Sequence, residues 1–144
     1  MANSFKLEVI TAAGPFFSGE AEMVVVRTLL GEEGFMAGHS WACKLLDIGV
    51  MRIQECGQTD LRWAAVSGGY IDVKDSVVVY TDIAEWPEEI DLEKAQKAKT
   101  EAESYISIHE NNCDTDSDKA ALAQARADLK LALARIKVAE SQKA

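Results

Sequence analysis

The chain has 144 residues with a formal net charge of −9, and 48% of its residues are hydrophobic. The negative charge argues against nucleic-acid binding, because a phosphate backbone is recognised mainly by clustered Lys and Arg. No stretch approaches the roughly 20 apolar residues that a membrane-spanning helix requires, and no signal-peptide pattern is visible, so we expect a soluble chain that is not exported.

The first half of the chain predicts β-structure. Phe5, Leu7 and Val9 alternate with Lys6 and Glu8, as in a half-buried strand. Further strands are predicted at 22–29, 42–46, 50–55, 61–66, 70–73 and 76–82. All nine glycines lie at or before Gly69, where they mark turns between short strands. Many short strands with regular turns predict a sandwich or a flattened barrel.

Two glycine-rich stretches stand out, at 31–39 and 67–69. The first is interpreted as a loop, which either makes only local contacts or presents exposed side chains to a partner. Those side chains are the acidic Glu32 and Glu33 and the apolar Phe35 and Met36. The second stretch predicts a tight bend, since no Lys and no helix follow it as a phosphate cradle would need.

The second half predicts a helical hairpin. Pro87 with carboxylates just after it is typical of a helix start, and this helix is expected to end near Ile108. A polar break offers several N-cap residues for a second helix: Asn111, Asn112, Asp114, Asp116, Ser117 and Asp118. The second helix carries a heptad seam: Leu122, Ala125, Leu129, Ala132, Ile136 and Ala139. Because Ala buries little area, we expect a hairpin that can detach or open.

The two helices differ in charge. Residues 88–118 contain three Lys and ten acids, a net of −7, whereas 119–144 contain six basic residues and two acids, a net of +4. Opposite signs favour pairing of the two helices when they are closed, and they leave a basic helix for an acidic partner when they open. Two solvated faces are the alternative.

The residues do not indicate an enzyme. Cys43, Cys56 and Cys113 match no zinc-binding spacing, so reduced thiols are the simplest interpretation. No carboxylate pair, metal cluster or nucleophile with its base emerges. We therefore expect no catalytic residue, no metal and no cofactor.

Several ordered motifs together resemble one family. They are Phe5–Val9 as a first strand, Phe17-Ser18-Gly19, Gly31-Glu32-Glu33-Gly34 running to Gly38-His39, Ser67-Gly68-Gly69, Val79 to Glu85, Ile90 to Ala95 and Ala134 to Ala139. On these motifs the chain resembles the epsilon subunit of bacterial F-type ATP synthases over essentially its whole length.

The resemblance implies an α+β fold, with a ten-stranded β-sandwich at 1–86 and an antiparallel two-helix hairpin at 87–144. It implies a central-stalk position, at the cytoplasmic face of the bacterial membrane but attached only through the complex. Glu32, Glu33, Phe35 and Met36 correspond to a loop that faces the c-ring, and Gly38 and His39 to the contact with the gamma subunit. Members of the family usually have Pro-Gly-His followed by Ala-Pro, whereas this chain has Ala37-Gly38-His39-Ser40-Trp41, so Ala37 and Trp41 replace the two prolines.

The resemblance also implies regulation by the hairpin. Folded against the sandwich it permits turnover, and extended along gamma it opposes ATP hydrolysis. The basic residues of the second helix would then approach the alpha and beta subunits; they are Arg126, Lys130, Arg135 and Lys137.

Some relatives bind ATP in the folded hairpin through an Ile/Leu-Asp-x-x-Arg-Ala motif and further arginines. Ile90, Asp91, Ala95 and Arg135 match this pattern, but Lys94 replaces the motif arginine. Lys lacks the planar fork of Arg, and Glu101 and Leu131 replace two other arginines. The resemblance therefore implies a weak nucleotide site at most. A non-catalytic rotor subunit is the leading hypothesis, and an ATP-sensing module is the alternative.

Overall fold

The computed structural model describes residues 3–141. In this part of the chain nine strands precede two helices. The strands are β1 (Phe5–Thr11), β2 (Gly14–Thr28), β3 (Gly31–Met36), β4 (Ala42–Leu46), β5 (Gly49–Glu55), β6 (Arg62–Val66), β7 (Gly69–Val73), β8 (Val77–Tyr80) and β9 (Ala84–Glu85). A 3₁₀ turn, Pro87–Glu89, leads to the helices α1 (Leu92–His109) and α2 (Asp116–Ser141).

The strands form two layers. One layer has the order β1-β8-β7-β4, and the other contains β2, β5, β6 and β9, with β3 on the free side of β2. β1 and β8 pair in parallel, whereas the other pairs are antiparallel. The predicted sandwich followed by a helical hairpin is confirmed.

The long strand β2 explains why nine strands are present where ten were expected. It runs through 15 residues; its first half pairs with β1, and its second half pairs with β3 and β5. Counted as two, its halves give the expected number. Pro15 is tolerated inside β2 because it lies opposite Ile10, where the register shifts.

Alternating side chains of both layers form one apolar core. Leu7, Val24, Phe35, Ile53 and Val79 are among its fully buried members. Trp86 packs against this core from just beyond the last strand, and its ring stacks on Phe16 with centroids 4.4 Å apart. The sandwich therefore includes Trp86 in its packing.

The first helix begins later than its sequence signals predicted. Pro87 opens the 3₁₀ turn rather than α1, because Ile90 is extended and Asp91 then caps α1 through the Lys94 N–H at 3.2 Å. At α2 the hydroxyl of Thr115 accepts a hydrogen bond from the N–H of Asp118 at 3.1 Å. Thr115 was not among the predicted caps.

The hairpin lies against the β5–β6 side of the sandwich. Leu122, Ala125 and Ala132 of the predicted seam are buried, together with Ala95 and Ala102 of α1. α2 has a second buried face, Ala134 and Val138, which contacts the sandwich. The two helices pack against each other, as predicted, but within residues 3–141 the paired bases of α2 contact carboxylates of the sandwich rather than of α1.

Within the described part of the chain, no helix combines the length and the apolar character needed to cross a membrane. Across residues 3–141, His, Cys, Asp and Glu side chains form no group that could hold a metal ion.

Candidate functional site

The β2–β3 hairpin ends in two exposed leucines. Thr28 pairs with Gly31 across the turn, and the Thr28 hydroxyl donates to the Gly31 carbonyl at 2.9 Å and accepts from the Leu30 N–H at 3.1 Å. Leu29 is 63% exposed and Leu30 is 99% exposed. We call the turn that carries these two side chains the leucine turn. The polar side of the turn is satisfied internally, so the surface that it offers to a partner is apolar.

The two predicted acidic residues lie in β3 and are paired. Glu32 accepts a hydrogen bond from an Arg52 guanidinium nitrogen at 2.7 Å. Lys44 donates to both carboxylate oxygens of Glu33, at 2.6 and 2.7 Å. Successive strand residues point to opposite faces, so these carboxylates face different sides of the strand.

The prediction of an exposed loop at 31–36 is wrong, because these residues form β3. Pairing with the valine-rich second half of β2 overrides their weak strand propensity. Phe35 is fully buried and Met36 is 61% exposed. Met36 also lies four residues from Glu32, about 13 Å along a strand. Phe35 therefore belongs to the core, and Met36 lies at the opposite end of β3 from the leucine turn.

Gly38 and His39 form an exposed turn after β3. Gly38 has a φ of 82°, and the His39 N–H donates to the Met36 carbonyl at 3.2 Å. The His39 ring donates from Nδ1 to the Ser40 carbonyl at 2.8 Å and lies edge-on to Phe35 with centroids 4.7 Å apart. The turn holds the exposed ring of His39 beside exposed Met36.

The outer side of the β8-β7-β4 layer carries exposed apolar side chains. Leu45 is opposite Tyr70 in the register, and Tyr70 stacks on Tyr80 with centroids 4.7 Å apart. Leu45 is 63% exposed, and Trp41, just before β4, is 67% exposed. We call Leu45, Tyr70 and Tyr80 the tyrosine face. Contiguous exposed apolar surface of this kind is typical of sites that bind a protein, a membrane or a ligand.

The contact between hairpin and sandwich is small and apolar at its centre. Val50 of β5 and Ala65 of β6 meet Ala134 and Val138 of α2. Trp63 and Ile90 pack at the margin of this cluster. We call these six residues the hairpin joint. Because the buried side chains are small, each removes little apolar area from water.

Two ion pairs flank the hairpin joint. Lys130 lies 3.3 Å from Asp47, and Arg135 Nε donates to Glu85 at 2.6 Å. Arg126 and Lys137, the other predicted basic residues, are exposed and have no ion pair within residues 3–141. Two of the four predicted basic side chains are therefore occupied by the sandwich in the docked hairpin.

The residues predicted for a nucleotide site do come together. Ile90, Asp91, Lys94, Ala95 and Arg135 line one cavity of about 410 Å³. Glu85 and Glu89 also line it, and Glu85 already holds Arg135. The three carboxylates of this cavity outnumber its two cations, so the cavity has the wrong charge balance for a phosphate chain.

Sequence reasoning missed Asp47 and Glu85 as partners of α2. They lie 83 and 50 residues from the bases that they bind, and no local pattern connects positions so far apart. It also missed Leu29 and Leu30, although two leucines next to a glycine turn were a visible signal.

The sequence matches the family model of the ATP synthase Delta/Epsilon chain β-sandwich domain over residues 4–87. The ATP synthase epsilon chain of Caldicellulosiruptor bescii is 39% identical over 140 residues, 96% of each chain. The epsilon chain of Alkaliphilus metalliredigens is 43% identical over 107 residues, which cover 74% of this chain and 78% of that one.

Two solved structures are similar to the whole chain. A chain of the Euglena gracilis mitochondrial ATP synthase, OSCP/F1/c-ring in rotational state 1, gives a TM-score of 0.75 at 25% identity, covering 96% of this chain and 82% of its own. A chain of the Tetrahymena thermophila mitochondrial ATP synthase central stalk and c-ring gives 0.63 at 14% identity, covering 92% and 96%. The second likeness bears on the fold alone.

Proposed function

The chain belongs to the epsilon-chain family of ATP synthase and is a non-catalytic subunit of its rotor, and we propose that its two parts have different tasks. The sandwich joins the gamma subunit to the c-ring, and the hairpin restrains ATP hydrolysis. The observation that supports this most is that three surfaces lie on different strands. The tyrosine face belongs to β4, β7 and β8, the leucine turn connects β2 and β3, and the hairpin joint lies on β5 and β6.

The tyrosine face is the proposed gamma contact. The docked hairpin packs on β5 and β6 and leaves the outer side of β4, β7 and β8 free. Leu45 and Trp41 are exposed there, and the His39 turn, with Gly38 and Met36, lies at the start of the connection that leads to β4. Aromatic anchors surrounded by polar residues are typical of protein interfaces.

The leucine turn is the proposed c-ring contact. Leu29 and Leu30 project at the tip of β2 and β3, and Glu32 follows one residue after Gly31 on β3. Glu32 is fixed by Arg52, so the turn offers an apolar tip with a positioned carboxylate behind it. Glu33 pairs with Lys44, so its role is to stabilise β3 and not to contact the c-ring.

Variants of these two surfaces test the rotor role. Leu45→Asp places a charge on the tyrosine face and should weaken binding of the purified chain to isolated gamma. Leu30→Asp should leave gamma binding intact but fail to restore ATP synthesis coupled to ion translocation in an epsilon-depleted complex. Ile108→Asp, at a residue of α1 that is 64% exposed, is the matched control. Wild-type binding and coupling by both test variants would overturn the proposal.

The hairpin is the proposed restraint on hydrolysis. In the docked form Lys130 and Arg135 contact sandwich carboxylates, and a small apolar cluster supplies the rest of the joint. Detachment would free these bases for acidic surfaces of the alpha and beta subunits. Lys130 and Arg135 then exchange the sandwich carboxylates for acidic residues of the alpha and beta subunits, while α2 itself stays helical.

A truncated chain in the assembled complex tests this restraint. The chain should end at Glu89, because Trp86 packs on the sandwich core and Glu89 Oε1 accepts a hydrogen bond from the Trp86 N–H. We expect faster ATP hydrolysis with unchanged assembly. A full-length chain with Arg126, Lys130, Arg135 and Lys137 all replaced by Gln should show the same increase. Unchanged hydrolysis in both complexes would contradict the restraint.

Nucleotide sensing by the hairpin is the second candidate function. The observation in its favour is that all five predicted residues line one cavity. The carboxylates of Glu85, Glu89 and Asp91 oppose it. In a calorimetric titration with ATP at millimolar concentration, Lys94→Gln should give the same heat as the wild-type chain, and Glu85→Gln should raise affinity if the cavity binds phosphate at all. Heat that is present in the wild-type chain and lost in Lys94→Gln would favour the sensor.

This role places the chain at the cytoplasmic face of the bacterial membrane, held there through the gamma subunit and the c-ring. Fractionation of cells should recover it with the membranes only while gamma is present.

A further inference from the structure

A second cavity lies between the sandwich and α2, beside the hairpin joint. It measures about 300 Å³. Its apolar walls come from the β4–β5 connection and α2, and its charged side chains are Arg27, Glu32, Asp47, Lys130 and Lys137. Arg27 and the two carboxylates belong to the sandwich, whereas both lysines belong to α2, so the cavity spans the two parts of the molecule.

The positive charge in this cavity is not fully neutralised. Asp47 is shared between Arg27 at 3.8 Å and Lys130 at 3.3 Å, and its Oδ1 also accepts the Ile48 N–H at 2.8 Å. Glu32 is held by Arg52 at 2.7 Å. Lys137 has no ion pair or hydrogen bond within residues 3–141.

The backbone of β5 is shaped to receive Arg27. A Cβ on Gly49 would lie 2.9 Å from Arg27 Cδ and 3.3 Å from its Cβ. Gly49 therefore lets the arginine stem cross the strand and places its guanidinium in the cavity wall. Arg27 lies opposite Glu32 in the β2–β3 register, yet Glu32 bonds to Arg52 instead. Among residues 3–141, the guanidinium of Arg27 is therefore left with its long contact to Asp47 at 3.8 Å.

We propose that this cavity binds a phosphate-type oxyanion, which bridges Arg27 of the sandwich to Lys130 and Lys137 of α2. The anion pairs with the positive charge that Asp47 alone does not neutralise. Because the bridge exists only in the docked hairpin, the anion stabilises docking by linkage. The binding site stands on its own geometry, whereas its effect on hydrolysis rests on the restraint proposed above.

The charge balance separates this cavity from the one lined by Lys94. The cavity beside Lys137 has three cations and two carboxylates, and one of these carboxylates is held by a fourth cation, Arg52. The cavity lined by Lys94 has two cations and three carboxylates. A phosphoryl group should therefore enter the cavity beside Lys137 in preference.

Hydrogen exchange of the full chain tests the proposal, with inorganic phosphate as the probe. When the phosphate concentration is twice the dissociation constant, opening of the docked α2 should fall about threefold. Sodium chloride at equal ionic strength should act in the opposite direction, because it screens the pairs of Asp47 and Glu85. Slowing of α2 exchange by both salts alike would overturn the proposal.

Three variants locate the site. Lys137→Gln should abolish the phosphate effect, and Asp47→Asn should increase phosphate affinity because it removes the competing carboxylate. Lys97→Gln, at an exposed lysine of α1, is the control and should respond as wild type. A wild-type response of Lys137→Gln would exclude this cavity.

Tripolyphosphate and ATP distinguish the sources of the phosphoryl group. Both should compete with inorganic phosphate if the site recognises only the negative charge of the phosphoryl group. An effect seen only with ATP and lost in Lys94→Gln would assign the ligand to the other cavity and overturn the proposal. Hydrolysis by the complex with the truncated chain does not depend on this result, so the two proposals can fail separately.

Discussion

The sandwich and the hairpin are packed in different ways. The sandwich core contains large side chains with no exposure, including Phe35, Met51 and Ile71. The buried residues of the hairpin are mostly Ala. Burial of apolar area contributes roughly 25 cal/mol per Å², so the sandwich holds most of the folding free energy. The hairpin can therefore move while the sandwich keeps its shape.

The hairpin joint shows the same contrast within one interface. Val50 and Ala65 belong to rigid strands, and their partners Ala134 and Val138 are small. Four small side chains supply limited apolar contact, and both flanking ion pairs are partly solvated. Such contacts suit local opening rather than permanent attachment.

The largest expected effect comes from the sandwich core. Phe35→Ala should lower the free energy of unfolding by about 3–5 kcal/mol, because it leaves a cavity among fully buried side chains. Met36→Ala, one residue away but 61% exposed, should change it by less than about 0.5 kcal/mol. Urea unfolding of the full chain measures both, and equal losses would restore the exposed-loop interpretation of this segment.

The next effect concerns the close approach of two neighbouring strands of one layer, β7 and β8. A Cβ on Gly69 would lie 1.8 Å from the Tyr80 carbonyl oxygen, and Gly69 has a φ of 112°. Gly69→Ala should therefore cost about 2–3 kcal/mol of stability through strain and overpacking. Gly57→Ala, where φ is positive but the space is open, should cost about 1 kcal/mol. Thermal unfolding compares the two variants.

A charge in the hairpin joint should separate the two parts. Val138→Asp buries a carboxylate against Val50 and Ala65, so α2 should exchange at least about tenfold faster while the sandwich amides keep their protection. Ala123→Asp, on the exposed side of α2, should leave both unchanged. Mass-spectrometric hydrogen exchange reports each region, and simultaneous opening of the strands would show that the parts are one cooperative unit.

The smallest expected effect is that of a single ion pair. Replacing Glu85 and Arg135 by Gln, singly and together, should give a coupling energy of about 0.5–1 kcal/mol for hairpin docking. The coupling should fall as salt rises. Hydrogen exchange of α2 is measured in the wild-type chain, the two single variants and the double variant. A coupling energy of zero would mean that the apolar cluster alone stabilises the docked hairpin.

Local patterns were sufficient for most of the fold. Alternation identified β1, and helical spacing with the glycine-free second half identified the hairpin. β3 was missed because Gly31 and Gly34 resemble turn residues, while its pairing with Val24 to Val26 depends on tertiary contacts. The start of β2 was missed because Pro15 normally ends a strand, and only the register shift opposite it removes the conflict.

The candidate site was predictable where residues lie close in sequence. Ile90, Asp91, Lys94 and Ala95 lie close together in sequence at the start of α1, and the resemblance supplied Arg135. The partners of the basic helix were not predictable, because α2 has a second buried face and its ion pairs join distant positions. A heptad seam predicts packing against one neighbouring element, whereas α2 packs against two, α1 and the sandwich.

The continuous course of β2 has a mechanical consequence. One end of this strand pairs with β1 in the first layer, and the other end reaches the leucine turn. A load applied at that turn passes along a single covalent backbone, about 50 Å when fully extended, into the layer that carries the tyrosine face. Stiffness between these two surfaces therefore depends on peptide bonds and strand pairing, and it is independent of whether the hairpin is docked.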